Sequence, residues 1–447
     1  MKRCVKWLSR GVAWTASLLV AVLFIGLRWG WTPVPKPPAG VRLEPLVPPL
    51  TLNEVTPDNA VFYYLGAVRS LASHHPSDDT KGEMDALLDG SPACKTGVVL
   101  QTIADCREAL GLVQQGLSMT KCQVPWIAFT TNEISKCSAL RFLSRLMCCE
   151  GKLAEQTGNT REALHEYLSS IRFADDCSHG SHILGRLVAN AIRSRGCISI
   201  RQCVLQRDLP DEELALCTNE LEKLRNRVQP LDETLRYELI SSKLMFSALF
   251  TNTGATIMMD RHVFDRLWDA AFGDLILEAK KPTWQAQMAQ VAARWDNSTE
   301  STWRQMLNRP LPSMLLSMEI PALRSACEKA SRSDLEMDAT ILACAITRHR
   351  IAHAPPPQDL SDLVPEFLTA IPVDPFDGKP LRYRREGKEW IIWSVGADRQ
   401  DDNAGWHEFK YRKKGDTRPG GDIYFKSSEA QDDLEWLKEK QKSGVRD

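Results

Sequence analysis

The sequence has no excess of charge of either sign. Lys and Arg total 56 against 57 Asp and Glu, which removes the general electrostatic case for a nucleic-acid partner. It has no Cys-x-x-Cys pair, so its cysteines spell neither a zinc knuckle nor a thioredoxin-like couple. It has no Gly-x-Ser-x-Gly elbow around Ser178 or Ser181, and a serine-hydrolase reading has no support. His407-Glu408 opens like a zinc-peptidase helix, but Tyr411 stands where the second imidazole belongs. No motif identifies a small-molecule substrate.

What is present begins with an asymmetric N-terminus. Lys2, Arg3, Lys6 and Arg10 precede an uncharged run from Gly11 to Leu27, and no acidic residue appears before Glu44. That run reads as a retained membrane helix flanked by Trp7, Trp29 and Trp31, with the positive side in the cytoplasm. The expectation is a single-pass protein of a bacterial inner membrane, contacting the bilayer through residues 11–27, with its bulk on the periplasmic side. Residues 32–57 carry eight prolines and read as an extended tether.

There are 13 cysteines, 12 of them beyond the apolar run. In an exported chain that number favours disulfides between adjacent helices. The expected middle domain, 58–335, is helical. Its clearest pattern is Gly158-Asn159 followed by Ala163, Leu164, Tyr167, Leu168 and Ile171 on one face. This helix–turn–helix loosely resembles one tetratricopeptide-type hairpin, although no matching repeat of about 34 residues follows it. The last long helix is expected to begin near Pro321 and to end near His353.

Three clusters invite chemistry. Asp175 to His182 gathers two carboxylates, a thiol and two imidazoles that could bind a transition metal, or could face water in a turn. His349 and His353, four apart, could share a helix face without an evident third ligand. Adjacent Asp401 and Asp402 could be acid/base groups, cation ligands or solvated turn residues. The basic stretch Arg382 to Lys388 reads as a solvated strand face.

The C-terminal part, 336–430, is expected to be a small α+β module, followed by a polar tail over 431–447. Asp377-Gly378 is a tight-turn signal, and Leu381–Arg385, Trp390–Val395 and Ile423–Phe425 read as strands. The order Asp374, Pro375, Phe376, Gly378, then Tyr383, then Ser394, Gly396, Asp398, then Asp422 and Ile423 resembles the type II secretion major pseudopilins. That resemblance implies a long helix packed on a small sheet and a calcium ion held by Asp398 and Asp422; Asp401 and Asp402 are close enough in sequence to add a carboxylate. The whole chain resembles large membrane-anchored proteins of planctomycete-type bacteria.

The expected architecture is therefore mainly α: a transmembrane helix, an irregular helical-hairpin domain and a C-terminal α+β module with a short antiparallel sheet. The expected role is structural or interaction-based at the envelope, connected with secretion or surface assembly and with an envelope protein as partner. The alternative is an envelope hydrolase whose site is built from residues distant in sequence.

Overall fold

The computed structural model describes residues 56–71, 76–124, 133–252, 261–282, 285, 290–291, 311–404 and 422–427. The expectations for residues 11–27, for most of the tether, for His407 and Glu408, and for the tail lie outside those residues. Within them, the fold is mainly helical with a small C-terminal three-stranded antiparallel sheet.

Chain contacts divide the protein into two units. One comprises the described residues within Glu238–Lys280 and Gln287–Ser325. Its described core includes Trp268, Phe272, Leu275, Leu316 and Ile320. Ser242 Oγ donates to Glu319 at 2.6 Å, and Lys243 pairs with Asp269 at 2.6 Å.

The other unit holds Leu50–Tyr237, Lys281–Ala286 and Ala326–Asp447. In chain order the helices are α1 (Ala60–Ser70), α2 (Asp78–Leu88), α3 (Thr96–Asp105), α4 (Arg107–Leu117), α5 (Glu133–Gln156), α6 (Thr160–Ser178), α7 (Ile183–Gln206), α8 (Asp211–Arg225), α9 (Leu231–Asn252), α10 (Arg261–Ala279) and α11 (Leu311–His353). Helices α5, α6 and α7 pack on one another, α1 lies on α4, and α8 lies on α6.

The α5–α6 turn follows from local chemistry. Gly158 takes φ +84°, a conformation open to glycine, and ends α5. Asn159 then caps α6 by accepting from the Glu162 amide. Tyr167 is fully buried, which contributes roughly 2–3 kcal/mol. It reaches Glu155 Oε2 at 3.0 Å. Gly151 makes that packing possible, because a Cβ there would stand 2.5 Å from the Tyr167 ring. Glu155, also buried, is paired with Lys152 at 2.9 Å and with Arg207 at 3.0 Å, so the buried charge is compensated.

Two helix boundaries differ from expectation. The apolar spacing Ile183, Leu184, Leu187, Val188 and Ile192 predicts a helix over 178–193, but α7 runs on to Gln206, with Arg193 and Arg201 buried in pairings to α11. α11 begins at Leu311 and carries Pro321 inside it; a proline there removes one ladder hydrogen bond without ending the helix.

Arg382–Glu386 (β1) pairs antiparallel with Glu389–Ser394 (β2), and β2 pairs antiparallel with Ile423–Lys426 (β3). These strands fall within a residue of expectation. Asp374 anchors the sheet: fully buried, it accepts from Phe376 N, Ser394 Oγ, Val395 N and Arg382 Nη1 at 2.7–3.0 Å. The sheet joins the helices through Arg201, which stacks over Phe425 and donates to Thr340 Oγ1.

Two expectations are corrected here. The helices are not stapled: all twelve described cysteines are free thiols, most of them buried. Burial in apolar surroundings gives them a packing role, and it pushes the Cys197 thiol up to about 11. No helix among the described residues is long and apolar enough to cross a membrane. A spanning helix needs about 20 mostly apolar residues, and long α11 is interrupted by Glu319, Arg324, Glu328, Lys329 and Arg332. The single-pass inner-membrane location, the signal-anchor reading and the bilayer contact through 11–27 thus have no element in the described structure to carry them.

Candidate metal centre

The first turns of α6 read Thr-Arg-Glu-Ala-Leu-His-Glu. Glu162, His165 and Glu166 stand at i, i+3 and i+4, so they share one helix face. One ligand atom from each lies within 4.8 Å of the others. His165 Nδ1 is 3.5 Å from Glu166 Oε1. Glu162 and His165 are exposed, whereas Glu166 is buried. The cluster thus has an open side and a closed side.

The closed side is electrostatically unsettled. Glu166 Oε2 is shut off from solvent and has no hydrogen-bond partner. Burial pushes the Glu166 carboxyl up to about 7; Glu150 and Glu162 add to the rise, and His165 opposes it. Glu150 comes from α5, across the interhelical gap. Its own carboxyl is raised, first by burial and also by Glu162, against the pull of Arg107. Arg107 Nη1 donates to Glu150 at 2.7 Å. Two carboxylates and an imidazole therefore converge, with the Arg107-paired Glu150 close enough for its charge to act on Glu166, an arrangement capable of coordinating a metal ion.

The residues singled out by sequence fare differently. Asp175, Asp176, Cys177 and Ser178 form the buried last turn of α6. Asp176 accepts from Tyr64 and pairs with Arg227, each at 2.6 Å. Asp175 lies 4.0 Å from Arg193. Its carboxyl is pushed up to about 7 by burial, with Arg193 and Arg186 opposing. His179 Nδ1 contacts the Asp175 carbonyl oxygen, and His182 caps α7. These groups are engaged in helix ends and ion pairs, although both Asp175 carboxylate oxygens are buried without a hydrogen-bond partner.

In the C-terminal loop, Asp398 turns back to accept from Gln400 N at 3.1 Å. Asp401 accepts from Trp393 Nε1 at 3.0 Å and faces Arg382 Nε at 3.4 Å. The Trp393 bond is the first cause of its lowered pKa. Asp422 Oδ2 accepts from Asp402 N and Ala404 N at 3.0 and 2.8 Å. Asp422 Oδ1 is buried without a hydrogen-bond partner. Burial raises its pKa, and Asp401 and Asp402 add to the rise. The fold therefore gathers Asp401, Asp402 and Asp422.

No family model, no curated protein and no solved structure matches this chain. The expected role as an anchored structural or interaction protein is overturned on two grounds: the described residues contain no membrane-crossing helix, and they contain a metal-competent Glu/His/Glu cluster. That cluster fits better with the alternative of an enzyme, although its three residues lie within five positions of one helix rather than far apart in sequence. The local signal for it was Glu-x-x-His-Glu at the start of a helix, which reads as solvated surface until Glu150 is placed beside it.

Proposed function

We propose that the protein is a metal-dependent hydrolase, with a divalent first-row metal held by Glu162, His165 and Glu166. The observation that carries this reading is Glu166, a buried carboxylate with one unpartnered oxygen on the same face as an exposed carboxylate and imidazole. An uncompensated buried carboxylate is costly, and a cation at that point offsets the cost. A mixed nitrogen and carboxylate set suits zinc, manganese or iron; calcium takes oxygen ligands in larger number. When bound, the metal supplies Lewis acidity and lowers the pKa of a bound water. The Glu162 and His165 side is open to solvent. Glu150, held by Arg107, would be the carboxylate placed to take a proton from such a water.

Zinc titration of the full chain by calorimetry, together with hydrolysis of activated esters and phosphate esters, tests the reading. The expected result is that E162Q/E166Q loses one equivalent of zinc and all metal-stimulated hydrolysis. A double variant that keeps both overturns it.

A second reading concerns the pseudopilin-like module. We infer that its loop takes calcium through Asp422, with Asp401 and Asp402 as the neighbouring carboxylates, whereas Asp398 turns back on Gln400. The support is the buried, unpartnered Asp422 Oδ1. Calcium should raise the melting temperature of the full chain, and D422N should abolish the increase. An unchanged melting temperature in the parent protein removes this site.

A further inference from the structure

α11 ends in two histidines one turn apart. His349 and His353 share a helix face, and their ring centroids are 4.9 Å apart. The fold brings a third group to them. Glu366, just beyond the short 3-10 turn Leu360–Leu363, places Oε2 3.5 Å from His353 Nε2. The His353 and Glu366 side chains are 50% and 61% exposed, so both can reorient. The half-buried His349 has its Nδ1 shut off from solvent with no hydrogen-bond partner.

Phe367 closes the inner side, edge-on to His349 at 5.7 Å and to His353 at 6.0 Å. Arg348 lies over the Phe367 ring at 5.3 Å. Aromatic packing accounts for Phe367. It accounts neither for a carboxylate facing the outer imidazole nor for the unpartnered nitrogen of the inner one.

We propose that His349, His353 and Glu366 form a second metal site, selective for a divalent transition ion of the zinc class. Two imidazoles and one carboxylate are a donor set that zinc takes with a fourth position open. Ligand atoms on a tetrahedral zinc stand about 3.3 Å apart, given metal–ligand bonds of about 2.0–2.1 Å. The separation between His353 and Glu366 is close to that. The three ligand atoms do not all lie within 4.8 Å of one another, so the His349 ring has to turn toward Glu366 to become the third ligand. The apolar Phe367 wall limits water access on one side, and the solvent side takes the fourth ligand. Such an ion would tie the segment after α11 to the helix end. The site shares no residue with the α6 centre.

The test uses the full chain and zinc chloride alone. Calorimetry of the parent protein should give two equivalents, the α11 equivalent binding with a Kd below about 1 µM. H349A/H353A should lose one equivalent, whereas E162Q/E166Q should lose the other. E366Q, a change at an exposed side chain, should fold as the parent does and bind the α11 ion more weakly by about tenfold or more. If H349A/H353A fails to fold, E366Q alone decides. Unchanged affinity in E366Q, or a second equivalent that survives H349A/H353A, overturns the proposal.

Discussion

Tyr64 on α1 donates a 2.6 Å hydrogen bond to Asp176 Oδ2 on α6, across 112 residues of chain. Arg227 holds the other oxygen of the same carboxylate at 2.6 Å. One buried acid thus joins α1 to the end of α6 and to the segment after α8. Removing the phenol leaves Asp176 with one strong partner. Y64F should destabilise the fold by about 1–3 kcal/mol, measured by urea unfolding. D176A, which strands Arg227 as well, should cost more than Y64F.

Glu166 sets stability against function. Without metal it is a buried carboxylate with an unpartnered oxygen. E166Q should therefore raise the melting temperature of the metal-free protein while weakening zinc binding. A metal-free E166Q less stable than its parent would contradict the strain assigned to Glu166.

Asp175 makes stability depend on pH. Burial raises its carboxyl from the ordinary 3.8 to about 7 in the folded protein. Between those values the folded state binds more protons than the unfolded state, so this contribution to stability falls as pH rises. The penalty is absent below about 4 and fully present above about 7. D175N should flatten the urea-unfolding profile across that window. A parent and variant with parallel profiles would refute the assignment.

Gly151 is required by contact. A Cβ there would meet the Tyr167 ring at 2.5 Å and the Ala163 carbonyl oxygen at 3.1 Å. G151A should destabilise by about 1–3 kcal/mol, although alanine is the better helix former. Pairing it with Y167L should recover part of that loss, as a double-mutant cycle would register.

Asp374 holds the C-terminal sheet. It satisfies two backbone amides, a serine hydroxyl and Arg382. D374A should cost about 3–5 kcal/mol, since it leaves buried donors and a charge unpaired. Hydrogen exchange should show protection lost first in β1 and β2.

Much of the helical framework was legible because its causes are local. Gly158-Asn159, the apolar spacing of α6 and the Asp377-Gly378 turn mark their elements without tertiary help. Gly378 takes φ +77°, with its amide on the Asp374 carbonyl oxygen. The burial of Arg193 and Arg201 has no local signal, because their partners Asp334 and Thr340 lie more than a hundred positions away. The cysteine count also misled, since composition cannot tell a buried thiol from half of a disulfide.

The sequence by itself determined which segments are helical, which faces are apolar and where the C-terminal strands lie, because backbone propensity and side-chain period act over a few residues; it did not fix the end of α7 or the start of α11. It also set Glu162, His165 and Glu166 on one face, and His349 beside His353, through the helical repeat. Only the tertiary structure decided that Glu150 stands against the first group and Glu366 against the second. Burial and long-range packing bring those carboxylates in, which helical periodicity alone does not do.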